Sequence, residues 1–275
     1  MQESHAQSGF VVALWRYPVK SMMGEELNSS EVTQRGLLGD RAYALVDSET
    51  GKVASAKNPR KWPRLFDFRA TFTEAPRKGE KLPPVRITLP DGTVCSSEQP
   101  DTHNVLSAAL GRSATLTLTP PETPELEEYW PDIEGLAHRE TVTDEGMPQD
   151  TFFDLGPVHI LTTSTINHLR DLYPQGRFEV RRFRPNIVVE TPGETGFAEN
   201  AWLNRTAAIG HEVLLRVFSP CPRCVMTTLP QGDLPQDHGI LRAAAQHNGA
   251  NVGVYAMVVQ PGLVRRGDAV RVVVE

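Results

Sequence analysis

The sequence holds only three cysteines among its 275 residues, Cys95, Cys221 and Cys224. Three thiols cannot all pair within one chain, and a C-x-x-C pair without a secretion signal is more typical of metal or redox chemistry than of a structural disulfide. No apolar run approaches the ~18 residues that a membrane-spanning helix needs. The polar start, Met1–Gly9, also lacks the pattern of a secretion signal. We therefore expect a cytoplasmic protein with no membrane partner.

The chain also lacks an excess of positive charge. Its formal net charge is −6, which argues against nucleic acid as the main partner, because neutralising phosphates requires a basic surface. A local basic pocket for a small anion stays compatible with that value. Neither G-x-G-x-x-G nor a Walker motif occurs, and the histidines form no Ser/His/Asp or H-E-x-x-H arrangement. Motifs therefore give no support to nucleotide binding or to these two kinds of catalysis.

Short strand patterns separated by turn signals dominate what is present, and Arg64–Phe72 is one of the predicted strands. Helical patterns are few and fall at Asp101–Leu110, Thr162–Tyr173 and Leu241–Gln246. Residues 120–150 differ, because prolines open the stretch and acids dominate it, which is typical of a linker or a surface excursion. We predict a β-rich, barrel-like α+β fold with an N-terminal domain over 9–120, a linker over 121–150 and a C-terminal domain over 151–275.

The pair Cys221 and Cys224, separated by a proline and Arg223, leaves several interpretations open. A structural zinc site needs four ligands, and no second pair accompanies this one. A redox pair of the thioredoxin kind needs a helix start, but Val225–Pro230 is β-branched and ends in proline. The two thiols could simply be small core residues at a strand end. The remaining interpretation is one thiolate on a soft metal whose other ligands belong to a cofactor.

Three basic motifs are candidate phosphate contacts. Lys20 and Ser21 end the run Tyr-Pro-Val-Lys-Ser, Arg41 follows Gly-Asp, and Arg184 and Asn186 lie in Phe-Arg-Pro-Asn. Arginine and lysine suit phosphate as bidentate and point-charge donors respectively. On composition alone, however, an exposed basic loop or a surface salt bridge explains each motif as well.

Taken in their order along the chain, the basic motifs and then the cysteine pair resemble the MOSC family, in the branch with an N-terminal β-barrel domain that includes the mitochondrial amidoxime-reducing component. The resemblance extends from about Phe10 to Val274 and also draws on Gly253–Tyr255. It implies an α+β, β-rich fold in which an N-terminal β-barrel-like domain packs on a C-terminal MOSC β-barrel with a few helices.

The resemblance also implies a site for the molybdenum cofactor (Mo-molybdopterin), a pyranopterin dithiolene that ends in a phosphate. Cys224 would be the metal ligand and catalytic residue, and the cofactor contacts would be Lys20, Ser21, Arg41, Arg184, Asn186, Arg223 and Tyr255. One departure is Leu155-Gly156 after Asp154, where relatives carry a hydroxyl pair. Backbone amides, or Thr162 and Thr163, would have to replace those contacts. Pro222 also replaces a small polar residue.

The implied function is a molybdenum-dependent oxidoreductase that removes oxygen from small N-hydroxylated (N–O) substrates. A separate electron-donor protein is expected, because the sequence ends at Glu275 just after its last predicted strand, without clustered cysteines. The alternative is a non-catalytic carrier of the cofactor, or of sulfur as a persulfide on Cys221 or Cys224. A third interpretation, favoured by Leu155-Gly156, is a MOSC-shaped protein that has lost the cofactor.

Overall fold

The computed structural model describes residues 9–273, and strands dominate this part of the chain. In chain order the strands are β1 (Gly9–Arg16), β2 (Glu25–Leu27), β3 (Ser29–Thr33), β4 (Gly36–Leu37), β5 (Ala44–Asp47), β6 (Arg69–Phe72), β7 (Val85–Thr88), β8 (Val94–Ser96), β9 (Ala114–Thr117), β10 (Glu125–Trp130), β11 (Thr141–Gly146), β12 (Val158–Thr162), β13 (Ile187–Glu190), β14 (Thr206–Ile209), β15 (Val213–Pro222), β16 (Asn251–Gln260), β17 (Gly262–Arg265) and β18 (Ala269–Val273). The helices are α1 (Thr102–Leu110), α2 (Thr163–Leu172), α3 (Val180–Phe183) and α4 (Gly239–Asn248).

Seven of these strands close into a barrel. Their order is β13-β12-β16-β15-β14-β18-β1, and β1 pairs with β13 to complete the ring. All neighbours are antiparallel except β12 and β13, which run parallel. Alternate side chains fill the interior with valine, isoleucine and leucine, as a small closed barrel requires. The predicted β-rich α+β class, with a barrel built largely from the C-terminal part of the chain, is confirmed.

The first strand of the chain belongs to this barrel and β2 pairs with it, whereas the strands β3 to β9 form small separate sheets. Those sheets are β17-β3-β4, β5-β9 and β6-β7-β8. Val32, Leu37 and Val264 of the first pack with the barrel core, whereas the last two sheets surround a second apolar core. Cys224 and Met226 belong to that core, even though they follow a barrel strand. The turn after β15 therefore packs against the N-terminal sheets. The predicted domain boundaries stay predictions, since β1 and β17 link the two parts of the chain.

The acidic stretch 121–150 is folded as a hairpin rather than left irregular. Strands β10 and β11 pair antiparallel over six residue pairs, from Glu125 with Gly146 to Trp130 with Thr141. At the tip of the hairpin Ile133 is buried against Leu241 and Ala245 of α4. We call residues 125–146 the arm.

Two local predictions need correction. Within the strand predicted over Arg64–Phe72, Leu65–Asp67 form a 3-10 turn and only Arg69–Phe72 pair as β6. The helix predicted over Leu241–Gln246 is longer, running from Gly239 to Asn248. The other two predicted helices are present, and the side chain of Thr162 caps α2 by accepting from the Thr165 N–H.

Among the described residues, no helix has the length and apolar character to cross a membrane.

Candidate functional site

A cavity of about 520 Å³ is lined by residues from both halves of the chain. All eight predicted site residues line it: Lys20, Ser21, Arg41, Arg184, Asn186, Arg223, Cys224 and Tyr255. Segments that are far apart in sequence therefore meet at one place. Their individual roles stay predictions.

Left-handed backbone conformations cluster around this cavity. Ser21, Arg41 and Arg184 have φ values of 63°, 46° and 53°, and Ala250, which also lines the cavity, has 62°. A non-glycine residue in this region costs on the order of 1 kcal/mol, and such strain is retained mainly at functional sites. Ser21, Arg41 and Arg184 therefore reach the cavity from an unfavourable, left-handed backbone conformation.

Two guanidinium groups lie against one aromatic ring in the part of the cavity that we call its inner end. The guanidinium carbons of Arg184 and Arg41 are 4.1 Å and 4.6 Å from the ring centroid of Tyr17. Arg41 is also paired with the buried carboxylate of Asp40. Arg184 has no carboxylate within ion-pair distance anywhere in residues 9–273, and its Nη1 donates to the Met22 carbonyl at 2.8 Å. Burial lowers the pKa of Arg184 to about 10, so the group stays charged at neutral pH.

A compact ion-pair network forms another wall. Lys20 Nζ is 2.5 Å from Asp154 Oδ1 and 2.9 Å from the Phe152 carbonyl. Lys57 Nζ is 3.0 Å from Glu128 Oε2 and 3.8 Å from Asp154 Oδ2. Burial alone would raise the pKa of Asp154, but Lys20 and Lys57 hold it far below its ordinary value. Asp154 therefore carries its charge at neutral pH and is bound on both sides by ammonium groups.

Asn186 connects elements rather than offering free groups to the cavity. Its Oδ1 accepts from the His159 N–H at 3.0 Å, and its Nδ2 donates to Asp40 at 2.9 Å and to the Trp15 carbonyl at 3.3 Å. Each polar atom of the side chain is thus bound within the protein. The role that this supports for Asn186 is to hold β12, β1 and the Asp40 loop in place.

The two cysteines have different surroundings, although both are free thiols in the part of the chain that is described. Cys221 lies on β15, fully buried, and its Sγ accepts from Arg223 Nη1 at 2.7 Å. Cys224 lines the cavity and is the N-cap of the 3-10 turn Val225–Thr228, which follows the strand. Burial, opposed by Lys57 and Arg223, raises the pKa of Cys224 to about 12, so its thiol is protonated unless a metal displaces the proton.

Arg223 lies between the two cysteines in sequence, donates to Cys221, and has one buried donor without a partner. Its Nη2 donates to the Phe183 carbonyl at 2.9 Å, whereas its buried Nε has no hydrogen-bond partner among residues 9–273. Like Arg184, it has no carboxylate partner within the described chain. Buried side-chain donors without a partner are rare in folded proteins.

The sequence reasoning missed Lys57, His159 and the arm. Lys57 stands in no motif, so nothing in the sequence marked it. His159 is buried with Nε2 3.2 Å from the Val252 carbonyl, and burial lowers its pKa to about 3. A β-carbon at Gly253, where φ is +84°, would lie 2.2 Å from that Nε2, so the close contact requires glycine. The arm supplies Glu128, Trp130, Gly135, Leu136, Ala137, Glu145 and Gly146 to the lining.

The structure shows why a small residue stands at Gly156, where the Leu155-Gly156 pair departs from the family pattern. A β-carbon at Gly156 would come within 2.9 Å of Tyr255 Cβ and 3.0 Å of the Phe218 ring, so the chain passes too close for a larger residue without movement. Thr162 is not available as a substitute, because its hydroxyl donates to the buried Glu199 at 2.5 Å. Neither Thr162 nor Thr163 lines the cavity.

Two family models match the chain, the MOSC N-terminal beta barrel domain over residues 8–115 and the MOSC domain over residues 149–271. The chain therefore belongs to the MOSC-domain proteins that carry this N-terminal β-barrel domain, as the motifs predicted.

Its relatives include the mitochondrial amidoxime-reducing components. Component 2 of Macaca fascicularis is 29% identical over 241 residues, covering 81% of this chain and 67% of that protein. Component 2 of Homo sapiens is 28% identical over 247 residues, with the same coverage. The molybdenum cofactor sulfurase of Oryza sativa subsp. japonica is 25% identical over 245 residues, covering 78% of this chain but only 28% of that protein.

Proposed function

We propose that this protein binds the molybdenum cofactor in the 520 Å³ cavity and reduces N-hydroxylated compounds there. The names of its relatives, amidoxime-reducing components and a molybdenum cofactor sulfurase, support this class of activity. We further propose a cytoplasmic location and a separate electron-donor protein.

The observation that carries the proposal is a pair of arginines without an ion-pair partner beside the thiol of Cys224. Arg184 and Arg223 line the cavity without a carboxylate partner in residues 9–273, and the buried Nε of Arg223 lacks an acceptor. Removing a cation from water without a counter-ion is costly, so such groups suit an anionic ligand. A phosphate-bearing cofactor supplies the anion, and a soft metal suits the thiol of Cys224.

The residues fit this cofactor by their chemistry. Arg41 and Arg184 would hold the phosphate and pterin groups, with Ser21 as a hydroxyl partner. Arg223 would place its positive charge beside the cofactor, and Cys224 would coordinate molybdenum. Between residues 9 and 273 no group of three His, Cys, Asp or Glu side chains could hold a metal ion by itself. The remaining ligands would thus come from the cofactor and solvent.

The overall reaction would convert an N-hydroxylated compound into the corresponding amine or amidine and water. It consumes two electrons, which the donor protein supplies, and two protons from solvent. When bound, the cofactor supplies two-electron redox chemistry and an acceptor for the oxygen atom. The protein's own contribution is to bind the anion, hold the thiol, and present charged groups to the substrate.

A second candidate is a carrier of the cofactor or of sulfur, which the likeness to a cofactor sulfurase favours. The two cysteines differ as persulfide sites. Cys221 is fully buried and bonded to Arg223, whereas Cys224 lines the cavity. A carrier would therefore use Cys224.

Turnover distinguishes the two candidates. Protein made in a cofactor-competent host is given an artificial electron donor and an N-hydroxylated amidine, and the amidine product is quantified. We expect steady turnover that depends on the donor. Absence of turnover together with sulfane sulfur on Cys224 would replace the reductase by the carrier.

A further inference from the structure

The arm has two chemically different faces. In an antiparallel hairpin alternate residues point to opposite sides. On the outer face, Glu127 and Asp144 pair with Lys61 and Lys52. The inner face carries Glu128, Trp130, Thr143 and Glu145, of which Glu128, Trp130 and Glu145 line the cavity.

Hydrogen bonds fix two of the inner side chains relative to each other. Trp130 Nε1 donates to Thr143 Oγ1 at 2.8 Å, and Thr143 Oγ1 donates to Glu145 Oε1 at 2.7 Å. The ring of His138 packs edge-on against Trp130 with centroids 5.1 Å apart. The indole and the carboxylate are therefore held as a unit.

Glu145 differs from the other two carboxylates of the cavity. Glu128 and Asp154 are each paired with lysine, at 3.0 Å and 2.5 Å respectively. Glu145 has no basic side chain within ion-pair distance in the part of the chain described. The opposite situation holds for Arg184, a cation without a carboxylate in the same cavity. The cavity lining thus contains one carboxylate without a basic partner and a guanidinium without a carboxylate.

The arm is anchored at its tip, which holds its inner face against the cavity. Ile133 at its tip is 3% exposed and packs with Leu241, Ala245 and Ala250. Ala250 also lines the cavity, and its carbonyl accepts from the Arg223 N–H at 2.7 Å. The arm is therefore tied to the same loop that positions Arg223.

We propose that Trp130 and Glu145 form a recognition site for a flat organic cation such as an amidinium or guanidinium. A carboxylate accepts two parallel N–H bonds from such a group, and an indole face attracts a planar cation. The claim that the cation is the substrate's own basic group rests on the proposed function. Cation binding itself does not need the cofactor.

Calorimetric titration tests this on the protein without cofactor, with benzamidinium and its neutral isostere benzamide as probes. The wild type should bind benzamidinium at least about tenfold more tightly, the scale of one charge-assisted hydrogen bond. Glu145→Gln should remove that preference, because the amide keeps the shape but loses the charge. Trp130→Leu should weaken both probes. Asp144→Asn, on the outer face of the same strand, is the matched control and should behave as the wild type.

Equal binding of the two probes by the wild type would overturn the inference, as would equal effects of Glu145→Gln and Asp144→Asn. With loaded enzyme, Glu145→Gln should raise KM for a cationic N-hydroxylated substrate and leave kcat unchanged. If benzamidinium binds through Glu145 but no N–O compound is reduced, the cation site stands and the reductase proposal fails.

Discussion

The inner end of the cavity and the arm that faces it are built in different ways. At the inner end, Arg41 and Arg184 hold left-handed backbone and share the ring of Tyr17. The arm is a regular hairpin whose outer carboxylates, Glu127 and Asp144, pair with Lys61 and Lys52. Strained backbone holds a few hydrogen-bond donors in fixed positions, which suits a ligand that is common to many proteins. A regular hairpin tolerates exchange of its inner side chains, which suits a wall that selects substrates.

The largest expected effect belongs to Cys224. Changing Cys224→Ser replaces a soft thiolate by a harder oxygen donor, and turnover of an N-hydroxylated substrate should fall by roughly 100-fold or more, since even outer-shell changes at metal sites cost about 10–100-fold. Cys221→Ser is the matched control, because serine can still accept from Arg223. It should keep most of the activity. Equal losses in both variants would show that the pair acts through stability.

The next effect concerns the anion at the inner end. Arg184→Ala removes a charge-assisted hydrogen bond, worth about 1.5–3 kcal/mol, so cofactor retention should fall about 10–100-fold. In the control Arg181→Ala, three residues earlier, only partly exposed pairs with Glu179 and Asp233 are lost. Cofactor content and urea unfolding are measured on both variants. An Arg184 variant that unfolds readily yet keeps stoichiometric cofactor when folded would make the residue structural.

A pH-dependent effect is expected at Asp154. Its folded pKa lies below the ordinary value of 3.8, so its ion pairs stabilise the fold above that pH and are lost as the pH falls. Asp154→Asn should therefore cost about 1–3 kcal/mol at pH 7, because Lys20 loses its partner. The difference from the wild type should shrink as the pH falls from ~4 toward the folded pKa, because the carboxyl is then protonated in the unfolded protein before it is protonated in the folded one. Urea unfolding at several pH values measures this, and a difference independent of pH would refute the assignment.

The smallest effect should come from the outer face of the arm. Arg60 lies 3.8 Å over the ring of Tyr129 and 3.1 Å from Glu140, with more than half of its side chain exposed. Arg60→Ala should change the free energy of unfolding by less than about 1 kcal/mol and leave cofactor content unchanged. A large loss of cofactor in this variant would mean that the two faces are not independent.

The sequence predicted the inner end of the cavity better than it predicted the arm. Phe-Arg-Pro-Asn and Cys-Pro-Arg-Cys were recognisable because unusual residue types must stand at fixed spacing. Lys57 is a lone lysine without a motif, so only tertiary contact assigns it to the cavity. Glu128, Trp130 and Glu145 were hidden in an acidic stretch, where composition suggested a linker and the faces of a hairpin could not be told apart. The short elements α3 and β17 escaped because four residues give too little periodicity to read.

Molybdenum and pterin content of the wild-type protein, made in a cofactor-competent host, tests the assignment of the cavity most directly. Elemental analysis should find close to one molybdenum per chain, and the denatured protein should release a fluorescent pterin in equal amount. Zinc in place of molybdenum, or protein that carries neither metal nor pterin under those conditions, would contradict it.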